Sequence, residues 1–417
     1  MTPRARLFVM MALQLAIWGA WAPKLFPYMT MLGFSAGQQA LVGSSWGVAS
    51  IVGIFFSNQF ADRNFSAERF LAASHLLSGL CLVGTAFSTE FWPFFACYLA
   101  YSLIYVPTLS VTNTVAFANL DNPARDFGAV RMGGTVGWVL ASWPFVFLLS
   151  AHATPEQVRW IFLVAAIISF ALAAYSLSLP HTPPRKDAVD KLAWRRAFGL
   201  LRKPFVLVLF LVTFIDGVVH NGYFVMSDAF LTGRVGIAGN LSMLVLSLGQ
   251  VAEALTMFIL GGVLVRLGWR ATMIVGILGH AARFLVFAFF ADSVPTIIAV
   301  QLLHGVCYAF FFATVYIFVD DAFPKDVRVS AQGLFNLLIL GIGMVVASFL
   351  FPSLMNTLTT SAGEVDYRTL FLVPAGLAAL AAFMLAFLFK PPTHGPARVE
   401  APVEDPMVGL DPGAAKL

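Results

Sequence analysis

Apolar residues run along this chain in long stretches, without the alternation of a half-buried strand or the single stripe of a soluble amphipathic helix. A helical membrane crossing needs about 20 apolar residues. Bounded by proline, glycine or charge, about twelve stretches meet that length, near 7–30, 38–60, 68–88, 92–116, 128–150, 156–179, 204–227, 240–265, 271–291, 295–318, 329–352 and 368–389. The expected fold class is an all-α membrane protein with twelve transmembrane helices. Arg4 and Arg6 ahead of the first run resemble the start of a signal peptide, but the run is too long for one and the next span follows almost at once, so it is expected to be a mature helix.

The longest internal polar stretch falls between the sixth and seventh spans and divides the chain into two halves. The expected organisation is a six-helix bundle over 1–179, a central loop over 180–203, a second six-helix bundle over 204–390 and a disordered, proline-rich tail over 391–417. Within the loop, the segment from Trp194 to Lys203 is basic and amphipathic, suited either to a short helix on an anionic leaflet or to a solvated linker. Internal repetition supports two pseudo-symmetric bundles. Thr114-Val115-Ala116-Phe117 followed by Pro123-Ala124-Arg125-Asp126 is echoed about 200 residues later by Thr314-Val315-Tyr316-Ile317-Phe318 followed by Pro324-Lys325-Asp326. Such a parallel duplication is a hallmark of transporters that rock two bundles about a central cavity.

Charge fixes the expected orientation. Of the 25 Lys and Arg residues, nineteen fall on the face shared with the N-terminus, so both termini are expected in the cytoplasm of a multi-pass cell-membrane protein, a bacterial inner membrane in the first instance. The formal net charge of +4 then reflects topology rather than a nucleic-acid surface. Composition excludes the soluble classes: 59% of residues are hydrophobic and 11% charged, with a mean hydropathy of +0.84, against roughly 25% charged in a soluble domain. Cys81, Cys97 and Cys307 sit inside apolar runs without metal-ligand spacing, and no HExxH, P-loop or GxSxG motif occurs. Neither an enzyme nor a cofactor or metal site is expected.

Ionisable groups inside spans carry the functional signal, because each costs about 2.5–3.5 kcal/mol at mid-helix on insertion scales. Arg131 lies one turn into the fifth span, followed by Gly133 and Gly134, which would admit a neighbouring helix closely. Asp216, His220 and Asn221 cluster near the middle of the seventh. Gln250 and Glu253 share one face of the eighth, with a structural ion pair between Glu253 and Arg283 of the ninth as the competing account. A desolvated carboxyl such as Glu253 is a candidate proton carrier. Lys24 reads as a mark of the outer end of span one, and His75, His280 and His304 as hydrogen-bonded core histidines. Trp18, Trp21, Trp46 and Trp138 are candidates to line a cavity.

With these residues in view the chain resembles the major facilitator superfamily. Ala61-Asp62-Arg63 with Glu68-Arg69 stands between spans two and three, where that superfamily keeps its gating motif, though Asn58 replaces the usual glycine. Segments spread over the whole chain resemble the nucleoside:proton symporter family: Leu13-Gln14 with Trp18-Gly19-Ala20-Trp21, Pro107-Thr108-Leu109, Arg131 with Gly134-Thr135-Val136-Gly137, Leu179-Pro180-His181, Gln250 with Glu253, Ala282-Arg283-Phe284 and Ser330-Ala331-Gln332-Gly333. The resemblance implies substrate contacts from Arg131, Thr135, Trp138, Asn221, Gln250 and Glu253, gating by Asp62 and Arg63, and proton coupling. Where similar family members place a coupling aspartate in the tenth span, this chain has Ala309, which leaves three alternatives: coupling by Asp216, coupling by Glu253 alone, or no proton coupling. The implied function is proton-coupled nucleoside uptake by alternating access, with nucleoside, protons and membrane lipid as partners and a monomer as the working unit. A transporter of another polar metabolite such as a sugar, or a membrane ligand sensor without flux, are the alternatives.

Overall fold

The computed structural model describes residues 2–53, 64–121, 123–184, 198–323 and 328–390. Among them, regular structure is helical apart from one isolated bridge between Thr359 and Val365. With no water in the hydrocarbon core, a backbone must satisfy its own polar groups, and the helix does so within one segment.

The principal helices are α1 (Pro3–Met31), α2 (Ala36–Val52), α3 (Ala67–Phe87), α4 (Phe91–Ala118), α5 (Pro123–Ser142), α6 (Pro155–Ser176), α7 (Pro204–Gly233), α8 (242–267), α9 (269–289), α10 (Val294–Ala322), α11 (Ala331–Thr357) and α12 (Tyr367–Leu388), and all but α2 and α5 belong to stretches long and apolar enough to cross a membrane. The eighth and ninth spans are two helices that follow each other directly, broken at Gly268, whose φ of 72° and ψ of 177° are non-helical and favour glycine. The fifth begins earlier than its apolar run suggests, at Pro123, whose missing N–H costs nothing at a helix start. The first is interrupted at Ala22–Lys24, where Pro23 sits in a short 3-10 turn.

Helices of the first half pack among themselves, α1 on α5 and α6, α3 on α4 and α6, and α2 on α4. Those of the second do likewise, α8–α9 on α10 and α12, and α7 on α11 and α12. The halves meet where α2 lies against α11 and α5 against α8. The α1–α5 contact depends on small residues: a Cβ at Gly137 would lie 1.9 Å from the Ala12 carbonyl oxygen, so the backbones touch there.

The central loop and tail expectations, including the segment from Trp194 to Ala197, lie outside the described residues; Leu200–Arg202 forms a short 3-10 turn leading into α7. The end of the first half is held by Glu68 at the start of α3, which accepts from the Thr182 backbone N–H at 3.0 Å and pairs with His181 Nδ1 at 2.7 Å. Asp62 and Arg63 also lie outside the described residues.

Candidate functional site

The site is assembled from α5 on one side and α7, α8, α9 and α10 on the other. The α1–α5 contact fixes the turn of α5 that carries Arg131, Thr135 and Trp138. Arg131 is exposed, Thr135 half-buried and Trp138 buried. The Arg131 charge acts on Tyr105 of α4, Glu253 of α8, and Tyr308 and Tyr316 of α10. These groups belong to both halves, and α5 packs on α8 where the halves meet. Trp138 extends an aromatic cluster across the same boundary: it meets Trp18 edge-on at 4.9 Å and Phe224 of α7 at 6.2 Å, while Trp18 stacks on Trp46 at 4.7 Å.

Facing Arg131, Gln250 and Glu253 stand on one face of α8, as the three-residue spacing requires. Gln250 Nε2 lies 3.0 Å from His304 Nε2, and Glu253 Oε2 lies 3.9 Å from the same ring nitrogen. Glu253 keeps 17% of its side chain exposed, whereas His304 is 1% exposed. The approach of α10 to α8 that makes this possible needs Gly305, where a Cβ would come within 2.4 Å of the Ala252 carbonyl group. On its other nitrogen, His304 Nδ1 receives Arg283 Nη1 at 2.9 Å. The Arg283 guanidinium also lies over the Tyr223 ring at 3.9 Å, and the Tyr223 hydroxyl donates to Gln301 Oε1 at 2.7 Å. Arg283 is thus spoken for by His304 and Tyr223, and the alternative of an Arg283–Glu253 ion pair is not what the structure forms.

Asp216 lies apart from this group. It is fully buried and its Oδ1 is 2.9 Å from His280 Nδ1, while His220 sits between, its ring 5.6 Å from that of His280 and stacked at 5.3 Å on His304. Three histidines from three helices therefore bridge Asp216 to the Gln250–Glu253 face, although among the described residues no group of His, Cys, Asp and Glu is arranged to hold a metal ion. Asn221 is used differently: its amide donates to the carbonyls of Gly217 and Ile339, both at 2.7 Å, and so ties α7 to α11. Ile339 belongs to a π-helical stretch, Leu337–Ile342, whose shifted hydrogen bonding leaves such a carbonyl available. Ala309 is buried in a second π-helical stretch, Tyr308–Ala313.

Sequence reasoning missed two features. Lys24 does more than mark a helix end: it is buried and bonds to Asp228 of α7 at 2.9 and 3.1 Å and to Ser242 of α8 at 2.8 Å, joining the halves at the face opposite the N-terminus. The available signal was an unpaired Asp228 at matching depth near the end of α7. The second is the first half's own polar knot, where Gln14 donates to Thr108 Oγ1 at 2.8 Å and meets His75 Nε2 at 2.8 Å.

Long apolar helices in two packed halves, with charged and amide groups gathered at their boundary, give the fold of major facilitator transporters. The family model described as "Nucleoside H+ symporter" matches residues 1–394. Xanthosine permease of Escherichia coli (strain K12) is 30% identical over 415 residues, covering 95% of this chain and 97% of the relative. A crystal structure of the nucleoside transporter NupG superposes with a TM-score of 0.82 at 23% identity, covering 94% of this chain and all of that one; a D-xylose-proton symporter gives 0.71 at 14%, covering 93% and 98%. The chain belongs to the nucleoside:proton symporter family and is a multi-pass membrane transporter of that class.

Proposed function

We propose that this protein takes up a nucleoside together with a proton, the ligand lying between Arg131, Thr135 and Trp138 of the first half and Gln250 and Glu253 of the second. The observation that carries this reading is the convergence of Arg131 and the Gln250–His304–Glu253 group across the boundary between halves. The chemistry suits the ligand: a ribose hydroxyl both donates and accepts, Gln250 and Glu253 supply the complementary groups, and Trp138 offers an aromatic face to a base. The xanthosine permease likeness supports a nucleoside over a sugar.

Glu253 carries the proton, with Asp216 assisting through the histidines that separate them. Protonation neutralises the carboxylate before the halves close over it. One positive charge moving down about 100 mV supplies about 2.3 kcal/mol, enough to accumulate a neutral solute roughly 50-fold. Asn221, with its N–H groups committed to backbone, offers the ligand only its oxygen. Asp62 and Arg63 gate the face that the N-terminus shares, both termini lie in the cytoplasm of an inner-membrane protein, and a monomer embedded in lipid is the working unit. The halves correspond to 1–179 and 204–390, joined by the loop 180–203 and followed by the tail 391–417.

The test is uptake into proteoliposomes. With the interior made alkaline, labelled uridine or adenosine should accumulate above its external concentration, and a protonophore should abolish the accumulation. Uptake of xylose with none of either nucleoside would overturn the reading.

A further inference from the structure

Arg283 is one of the largest fully buried side chains, and no carboxylate pairs with it among the described residues. Its Nη1 meets His304 Nδ1, its face lies over Tyr223, and its Nε and Nη2 have no hydrogen-bond partner. A guanidinium only donates. His304 Nδ1 must therefore accept, through its lone pair, and the ring carries its proton on Nε2. That ring is closely packed: it is stacked on His220, tilted against Tyr223 at 5.2 Å, and seated against Gly249 of α8, where a Cβ would come within 2.9 Å of the His304 side chain.

The consequence passes to Gln250. An Nε2–H pointing at an amide NH2 would set donor against donor, and the two ends of a carboxamide exchange by a simple flip. The structure places Gln250 Nε2 3.0 Å from His304 Nε2, so the donor on that ring nitrogen requires the flipped carboxamide, with the amide oxygen in that position. Gln250 is half-buried and its amide makes no other hydrogen bond among the described residues. Both of its N–H groups are then left for the ligand, beside the carboxylate of Glu253.

We infer that Arg283 and His304 are positioning residues that hold the Gln250 carboxamide with its NH2 toward the ligand, so that the transporter selects a solute presenting a hydrogen-bond acceptor at Gln250 and a donor at Glu253. A vicinal diol, such as that of a ribose, meets both demands. The inference rests on the reading that Gln250 and Glu253 face the nucleoside, but its first test does not depend on transport.

The full-length protein, labelled with 15N-histidine and placed in nanodiscs, is studied by nitrogen–proton correlation NMR, with His304 assigned by its loss in His304→Asn. An unprotonated Nδ1 and a protonated Nε2 are expected. A protonated Nδ1, alone or together with Nε2, would overturn the inference even if nucleoside uptake proceeds. In Arg283→Met the fixed tautomer should disappear and the KM for uridine should rise about tenfold with maximal velocity little changed, the size expected when a ligand group loses a fixed partner. Arg283→Lys retains a donor and should restore both the tautomer and KM. A lost tautomer with unchanged KM would refute the selective role. Should Arg283→Met fail to fold, the wild-type spectrum and the Arg283→Lys KM decide the matter. A correct tautomer in a protein that transports no nucleoside would refute the functional reading while leaving the positioning chain in place.

Discussion

Breaking the Lys24–Asp228 pair should open the face of the transporter opposite its termini. Lys24 belongs to α1, Asp228 to α7 and Ser242 to α8, so the contact joins the two halves and exists only while that face is closed. The two charged side chains are 4% and 2% exposed, and the Ser242 hydroxyl donates to Asp228 Oδ1 at 2.5 Å. In Asp228→Asn the ammonium stays buried without a counter-charge, which costs about 3–5 kcal/mol. Since about 1.4 kcal/mol is tenfold, the closed-face conformer should lose roughly 10²-fold to about 4 × 10³-fold of its weight relative to the opposite one. Replacing both partners, as in Lys24→Met with Asp228→Leu, removes the stranded charge and should cost much less. The assay is a spin-label distance distribution between Met31 and Leu241, which are 45% and 39% exposed, in a background without Cys81, Cys97 and Cys307. A single short distance is expected for the wild type and a longer population for Asp228→Asn, with the double replacement in between. Wild-type distances in a folded Asp228→Asn protein would show that this pair does not hold the face shut.

Three further outcomes follow from the same geometry. Asp216→Asn removes the charge beside His280, and gradient-driven nucleoside uptake should fall at least about tenfold while exchange of labelled for unlabelled nucleoside persists; an equal loss of both would mark Asp216 as structural. Gly137→Ala sets a methyl group into the Ala12 carbonyl and should lower thermal stability in detergent by about 1–3 kcal/mol; an unchanged melting temperature would refute the close α1–α5 contact. Trp138→Ala should raise the KM for a nucleoside about tenfold by removing an aromatic face worth about 1–3 kcal/mol per stacked base, and an unchanged KM would take Trp138 out of the ligand's reach.

The spans were legible because each crossing must be apolar over most of its length, and the Gln250–Glu253 face because three residues along a helix return to the same side. Arg131 stood out as a charge inside a span, whereas Trp138 was set apart from the other tryptophans only by the family resemblance. What the chain concealed lies between helices. Lys24 and Asp228 are separated by 204 residues, and nothing along α1 distinguishes an inward lysine from one that ends a span. His280 and His304 looked like ordinary core histidines until Asp216 and Arg283 met them from other helices. Asn221 resembled a ligand group because a membrane amide needs partners; that they are the Gly217 and Ile339 carbonyls depends on a π-helical stretch with no local sequence mark. The break between α8 and α9 was legible, since Arg266 and Arg270 mark the charged ends of two helices on either side of Gly268.

The central claim is that Glu253 links proton movement to solute movement. In proteoliposomes containing Glu253→Gln, labelled uridine or adenosine should still exchange across the membrane at equal concentrations, yet an inside-alkaline pH gradient should no longer drive accumulation. Full gradient-driven accumulation by that variant would contradict the account.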